Sequence, residues 1–89
     1  MNPIITEQVR LSTLRYCAQA TRIGMTLPLL LQCIRAEGVN IAPDELDRQI
    51  RYLVGKGFLA PAPKQLSPEN ASYLVTAEGE DFIAVNMTQ

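Results

Sequence analysis

The apolar positions of the chain fall into helical patterns broken by two short extended segments. From about residue 3 to 21, Ile5, Val9, Tyr16 and Ala20 form one stripe. Leu11, Leu14 and Ala18 form a second on roughly the opposite side, with Cys17 between them. A surface helix needs a single apolar stripe, so two stripes predict a helix covered on both sides, by the rest of the chain or by a second subunit. Asn2 or Thr6 offers a side-chain oxygen for its N-cap, Pro3 is tolerated at the first helical position, and Gly24 marks its end. A second helix is predicted over about 27–37, capped by Thr26 and stopped by Gly38, which accepts positive φ. Leu27, Leu30, Leu31 and Ile34 make its core stripe, and Leu29, Cys33 and Ala36 a weaker one.

The third helix spans about 43–56, with Pro43 first and Asp44 and Glu45 in the first turn, where carboxylates offset unpaired backbone N–H groups. Ala42 stands at its N-cap, where a side-chain oxygen is normal, which predicts a frayed or shifted start. Leu46, Ile50, Leu53 and Val54 form the inward stripe, Asp44, Arg48, Arg51, Tyr52 and Gly55 fall outward, and Gln49 points sideways. Gly57 ends the helix. A hairpin follows over about 58–76, with strands at Phe58–Ala60 and Ser72–Val75 around a loop at 61–70 that contains three prolines. Thr76 caps a closing helix over about 77–86, whose early acids suit the helix dipole. Gly79 costs that helix about 1 kcal/mol relative to Ala, so docking of Phe82 and Ile83 is expected to hold it.

Composition narrows the class. A chain of 89 residues and 9.8 kDa fits one domain, and 47% apolar against 19% charged residues excludes intrinsic disorder. Aromatics are few, so Leu, Ile, Val and Ala must build the core. The net charge of −1 promises no long-range pull on nucleic acid or an anionic membrane. Its distribution matters more. Residues 1–42 carry four arginines against two glutamates, 43–60 are balanced, and 61–89 carry one lysine against four acids. No stretch reaches the roughly 20 apolar residues of a membrane span. The start Met1–Glu7 lacks a basic flank and apolar core, so no secretory signal is predicted and the cytoplasm is the default address. Cys17 and Cys33 then read as reduced thiols in apolar helical stretches.

The order helix, helix, helix, strand, loop, strand, helix resembles the winged helix-turn-helix superfamily. Residues 43–53, PDELDRQIRYL, look like its third, recognition helix. Residues 55–59, GKGFL, look like the passage into the first wing strand, and 73–79, YLVTAEG, like the return strand and the turn into the last helix. The likeness covers about residues 5–86 and implies a mainly α fold with a small β-hairpin. It also implies a DNA-binding transcriptional regulator acting as a homodimer. Short proteins of this kind are common in phage genomes, so a phage or prophage origin is an expectation of the same resemblance.

In such regulators the third helix enters the major groove and the wing reaches phosphate or the minor groove. Carried onto this chain, the groove-facing positions are Asp44, Glu45, Arg48, Arg51 and Tyr52, the wing tip is Lys64, and Lys56 and Arg35 meet phosphates. Arg48 and Arg51 suit guanine O6 and N7, whereas Asp44 and Glu45 repel a polyanion. Each arginine also has an ordinary helical partner: Asp44 or Tyr52 for Arg48, and Asp47 for Arg51. The alternative is a non-catalytic protein-interaction or assembly module. The two-sided helices and the Phe82–Val85 segment predict a homodimer whose interface uses Val9, Leu11, Tyr16, Phe82, Ile83 and Val85, unless these residues complete the monomer's core.

Catalysis lacks obvious machinery, and no enzyme activity is expected. The chain contains no His, the commonest general base near neutral pH. Cys17 and Cys33 have no metal-ligand spacing, and Gly55 and Gly57 lead into no phosphate loop. No cofactor, metal or small-molecule ligand is predicted.

Overall fold

The computed structural model describes residues 2–20, 23–63 and 71–87. The chain runs α1 (Pro3–Gln19), β1 (Met25–Thr26), α2 (Leu27–Ala36), α3 (Pro43–Gly55), β2 (Leu59–Pro61), β3 (Ser72–Val75) and α4 (Ala77–Met87). It is mainly helical, with a small antiparallel sheet in the order β1-β3-β2.

Asn2 is the N-cap of α1: its Oδ1 accepts from the Ile5 N–H at 2.9 Å, with Pro3 at the first helical position. The helix stops at Gln19 with Ala20 as its C-cap, short of the expected Thr21. Gly24 is therefore not its terminus. At φ +75° it sits where a Cβ would come within 2.6 Å of the Tyr73 carbonyl oxygen, so it lets the chain turn closely against β3. That turn launches β1, which the apolar pattern did not predict because two residues are too few to show a period. Met25 pairs with Tyr73 and Thr26 with Ser72.

Both faces of α1 are covered by the chain itself. Val9, Leu14 and Cys17 are fully buried, and the helix packs against α2, α3, α4 and β3. Val9, expected at a subunit interface, lies instead in the core with Leu30 and Ile34 of α2 and Leu46, Ile50 and Leu53 of α3. Two carboxylate contacts tie α1 to the end of α2. Ser12 Oγ donates to Glu37 Oε1 at 2.9 Å, and the Tyr16 hydroxyl donates to Glu37 Oε2. Tyr16 is thus occupied within the monomer.

The inward stripe of α3 is as expected, with Leu46, Ile50 and Leu53 buried and Val54 half-buried. No side chain caps its start at Ala42. Its end is strongly specified: the Phe58 N–H donates to the Leu53 carbonyl and the Gly57 N–H to the Val54 carbonyl, each at 3.0 Å, with Gly57 at φ +82°. This paired closure reverses the chain into the hairpin. The first strand is displaced by one residue from the expected Phe58–Ala60. Phe58 is freed to stack on Phe82 of α4, ring centroids 4.8 Å apart. Leu59 pairs with Val75, Ala60 with Leu74, and Pro61 with Tyr73.

Thr76 begins α4. Its Oγ1 accepts from the Gly79 N–H at 3.1 Å and donates to the Gly57 carbonyl at 2.5 Å, joining the helix to the turn after α3. Phe82 and Ile83 dock on the core as expected. Gly79 has a role beyond weak helix propensity: a Cβ there would lie 2.3 Å from the Phe58 carbonyl oxygen and 2.7 Å from Val75 Cγ2. Gly79→Ala should therefore destabilise the fold by about 1–3 kcal/mol, because backbone overlap outweighs the roughly 1 kcal/mol gained in helix propensity. Urea unfolding followed by circular dichroism measures the sign directly, and a more stable variant would show the contact to be relaxed at no cost.

Candidate functional site

The outward side of α3 carries most of the expected site. Arg48 and Arg51 are well exposed, their side chains 76% and 80% accessible. Both are already paired on their own helix. Arg48 Nη1 lies 3.1 Å from Glu45 Oε2, rather than on Asp44 or Tyr52, and Arg51 Nε lies 2.9 Å from Asp47 Oδ2. Asp44 is exposed at the start of the same helix. Arg35 is committed to the turn after α2: its Nε and Nη2 donate to the Ile41 carbonyl at 3.1 and 2.9 Å. Lys64 lies outside the described residues.

Gln49 turns away from the outward side of α3 and towards α1. It is buried, accepting from Arg10 Nε at 2.7 Å and donating from Nε2 to Glu45 Oε1 at 3.1 Å. A polar chain thus runs from α1 through Arg10, Gln49 and Glu45 to Arg48. It satisfies a buried amide that would otherwise be costly. It also fixes Glu45 between two partners.

Arg10 belongs to the site although the apolar pattern gave no reason to single it out. Its guanidinium carbon lies 3.7 Å from the centre of the Tyr52 ring, and Lys56 Nζ lies 5.8 Å from the same ring. Both distances fall within cation–π range, and the closer one stacks a planar cation on the ring face. Residues 39 positions apart meet in the Arg10–Gln49 bond, so no local signal could reveal the cluster. Beside it opens a cleft of about 460 Å³. Glu7, Arg10 and Leu11 line it from α1, Tyr52, Leu53 and Lys56 from the end of α3, Phe58 from the turn that follows, and Phe82 and Asn86 from α4.

Of the expected interface residues, Leu11 and Phe82 face this cleft, Ile83 is half-buried against the core, and Val85 is exposed. The two thiols differ. Cys17 is fully buried, and burial pushes its thiol from the ordinary 9.0 up to about 12, whereas Cys33 is half-buried. Tyr16 is also raised above its usual value, first by its hydrogen bond to Glu37, then by burial and the carboxylate's charge. Among the described residues, no cluster of His, Cys, Asp or Glu could hold a metal ion, and no helix is long and apolar enough to cross a membrane. The chain matches no protein-family model, no curated protein and no solved structure.

Two outcomes follow from this geometry. Arg10→Ala should cost about 1–3 kcal/mol in denaturant unfolding, because it removes the Tyr52 stack and strips a buried amide of its partner. Arg48→Ala, which breaks an exposed pair, should cost about 0–1 kcal/mol. Equal effects of the two would show that the Arg10 cluster adds no stability. Iodoacetamide at pH 8, read by mass spectrometry, should modify Cys33 in the folded chain and Cys17 only on unfolding. Folding disfavours the Cys17 thiolate, so its raised value stabilises the fold fully below 9.0, and that contribution is lost as pH climbs towards about 12.

Proposed function

We propose that this chain is a winged helix-turn-helix regulator that binds double-stranded DNA through α3 and acts as a homodimer. The observation that carries the reading is the exposure of Arg48 and Arg51 on the outward side of a helix whose other side is locked into the core by Leu46, Ile50 and Leu53. An anchored helix presenting two arginines three positions apart has the form needed to donate to guanine edges in a major groove. The α2–α3 connection and the β2–β3 hairpin packed beside the helices agree with the same architecture. The ion pairs to Glu45 and Asp47 must be exchanged on binding, at small cost. Exposed pairs of this kind contribute about 0–1 kcal/mol, less than a charge-assisted bond to a base or phosphate.

Lys56, at the C-cap of α3, is the candidate for a phosphate contact, with half-exposed Tyr52 on the same helix; Arg35 would have to leave the Ile41 carbonyl to join it. A second copy would meet the chain along α4, where Val85 is exposed beside half-buried Phe82 and Ile83. Fully buried Val9 takes no part. A second reading, a protein-interaction or assembly module, is favoured by one specific feature. Three acids, Asp44, Glu45 and Asp47, share α3 with two arginines, so the helix itself attracts a polyanion weakly.

Fluorescence anisotropy with random and genomic duplex DNA, at low and moderate salt, separates the two readings. The regulator should bind with steep salt dependence, and Arg48→Ala with Arg51→Ala should weaken it by at least about tenfold. Light scattering on the same samples should give twice the 9.8 kDa chain mass. No binding at low salt, or binding indifferent to both arginines, would transfer the assignment to the interaction module.

A further inference from the structure

We propose that the cleft between α1, the end of α3 and α4 is a binding site for a small aromatic carboxylate. The site shares Tyr52 and Lys56 with the proposed DNA-binding surface and Phe82 with the proposed dimer contact, and it is tested on the chain without DNA. The cleft, about 460 Å³, is large enough for a small molecule and is formed by elements already fixed by the core. Its walls combine the two chemistries such a ligand needs. The stacked Phe58 and Phe82 rings, 4.8 Å apart, present aromatic surface, with Leu11 in the same lining. Arg10 and Lys56 bring positive charge to the same lining, where Glu7 carries the one carboxylate among the described residues.

The two cations are available as well as present. Neither Arg10 nor Lys56 takes part in an ion pair among the described residues, in contrast to Arg48 and Arg51. Arg10 spends its Nε on Gln49 and its face on Tyr52. Its two terminal nitrogens have no hydrogen-bond partner among the described residues, and their outer edge has the fork geometry that matches a carboxylate. The Gln49 bond and the Tyr52 stack hold that fork in place before any ligand arrives, so little side-chain freedom is lost on binding. Lys56, at the C-cap of α3, sits on the same aromatic ring and supplies a second, more mobile charge. An aliphatic anion would leave the aromatic wall unused, and a neutral aromatic would leave both cations unpaired. The combination selects a planar aromatic ring bearing a carboxylate.

The test is titration of the full chain with benzoate and 1-naphthoate at low salt, followed by amide shifts in two-dimensional NMR. Saturable shifts should centre on Arg10, Tyr52, Lys56 and Phe58, and the neutral analogue benzyl alcohol should bind at least about tenfold more weakly than benzoate. Arg10→Gln removes the fork but also disturbs a buried bond. Lys56→Gln, whose side chain is exposed, is therefore the decisive variant: it should keep the amide spectrum of the fold and lose about tenfold in affinity. Arg15→Gln, at an exposed position of α1 outside the cleft lining, should leave affinity unchanged. The proposal is overturned by any of three results: no saturation with either acid up to about 10 mM, equal binding of acid and alcohol, or unchanged affinity in a folded Lys56→Gln variant.

Discussion

Everything in this small protein leans on the burial of α1 from both sides. A chain of 89 residues can enclose one modest core, and its central helix has to serve every other layer at once. Val9, Leu14 and Cys17 are fully buried, α2 and α3 pack on this helix, and β3 and α4 reach it as well. Polar residues share that surface without penalty because each finds a partner. The buried Thr13 hydroxyl donates to the Val9 carbonyl at 2.8 Å, Ser12 and Tyr16 meet Glu37, and Arg10 meets Gln49. An apolar core of aliphatic side chains sets the packing, and these bonds set the rotation of α1 against its neighbours.

Much of this arrangement was legible in the chain, for reasons that differ by element. The inward stripe of α3 recurs with a clean helical period, so its orientation could be read directly, and the Gly57–Phe58 step announced where it stops. The double stripe of α1 revealed that both sides were covered, yet not by what, because periodicity records burial without naming the cover. The cover is internal, and for that reason Val9 and Tyr16 belong to the monomer's own contacts. β1 escaped because two residues carry no pattern, and the reason for Gly79 escaped because it lies in the backbone of a residue 21 positions earlier. A glycine in a helix reads as weakness until its neighbour is known.

The charges were harder to read than the packing. Sequence spacing identified Arg51–Asp47 correctly and misassigned Arg48, whose partner is Glu45. Glu45 serves two partners at once: its Oε1 accepts from Gln49 and its Oε2 pairs with Arg48. Gln49 in turn is held by Arg10, so the electrostatic character of the outer side of α3 depends on a residue from the first helix. Spacing within one helix describes a helix in isolation, and α3 is not isolated.

The same dependence gives the molecule two unlike cationic surfaces. On the outer side of α3, arginines are matched by acids one turn away, so any anion that binds must compete with pairs already formed. At the end of α3, Arg10 and Lys56 share an aromatic ring and line a cleft with one carboxylate, Glu7, among the described residues. Exposed pairs are weak and screened by salt, whereas a charge set against aromatic and aliphatic walls is screened less. Long-range attraction to a polyanion is therefore small across this chain, and Arg10 and Lys56, neither in an ion pair among the described residues, stand where α1, α3 and α4 meet. A partner that relies on many phosphates would engage the first surface only by displacing Glu45 and Asp47. A compact anion with an apolar body would meet the second already assembled, because the core that positions Arg10 is the core that holds the fold.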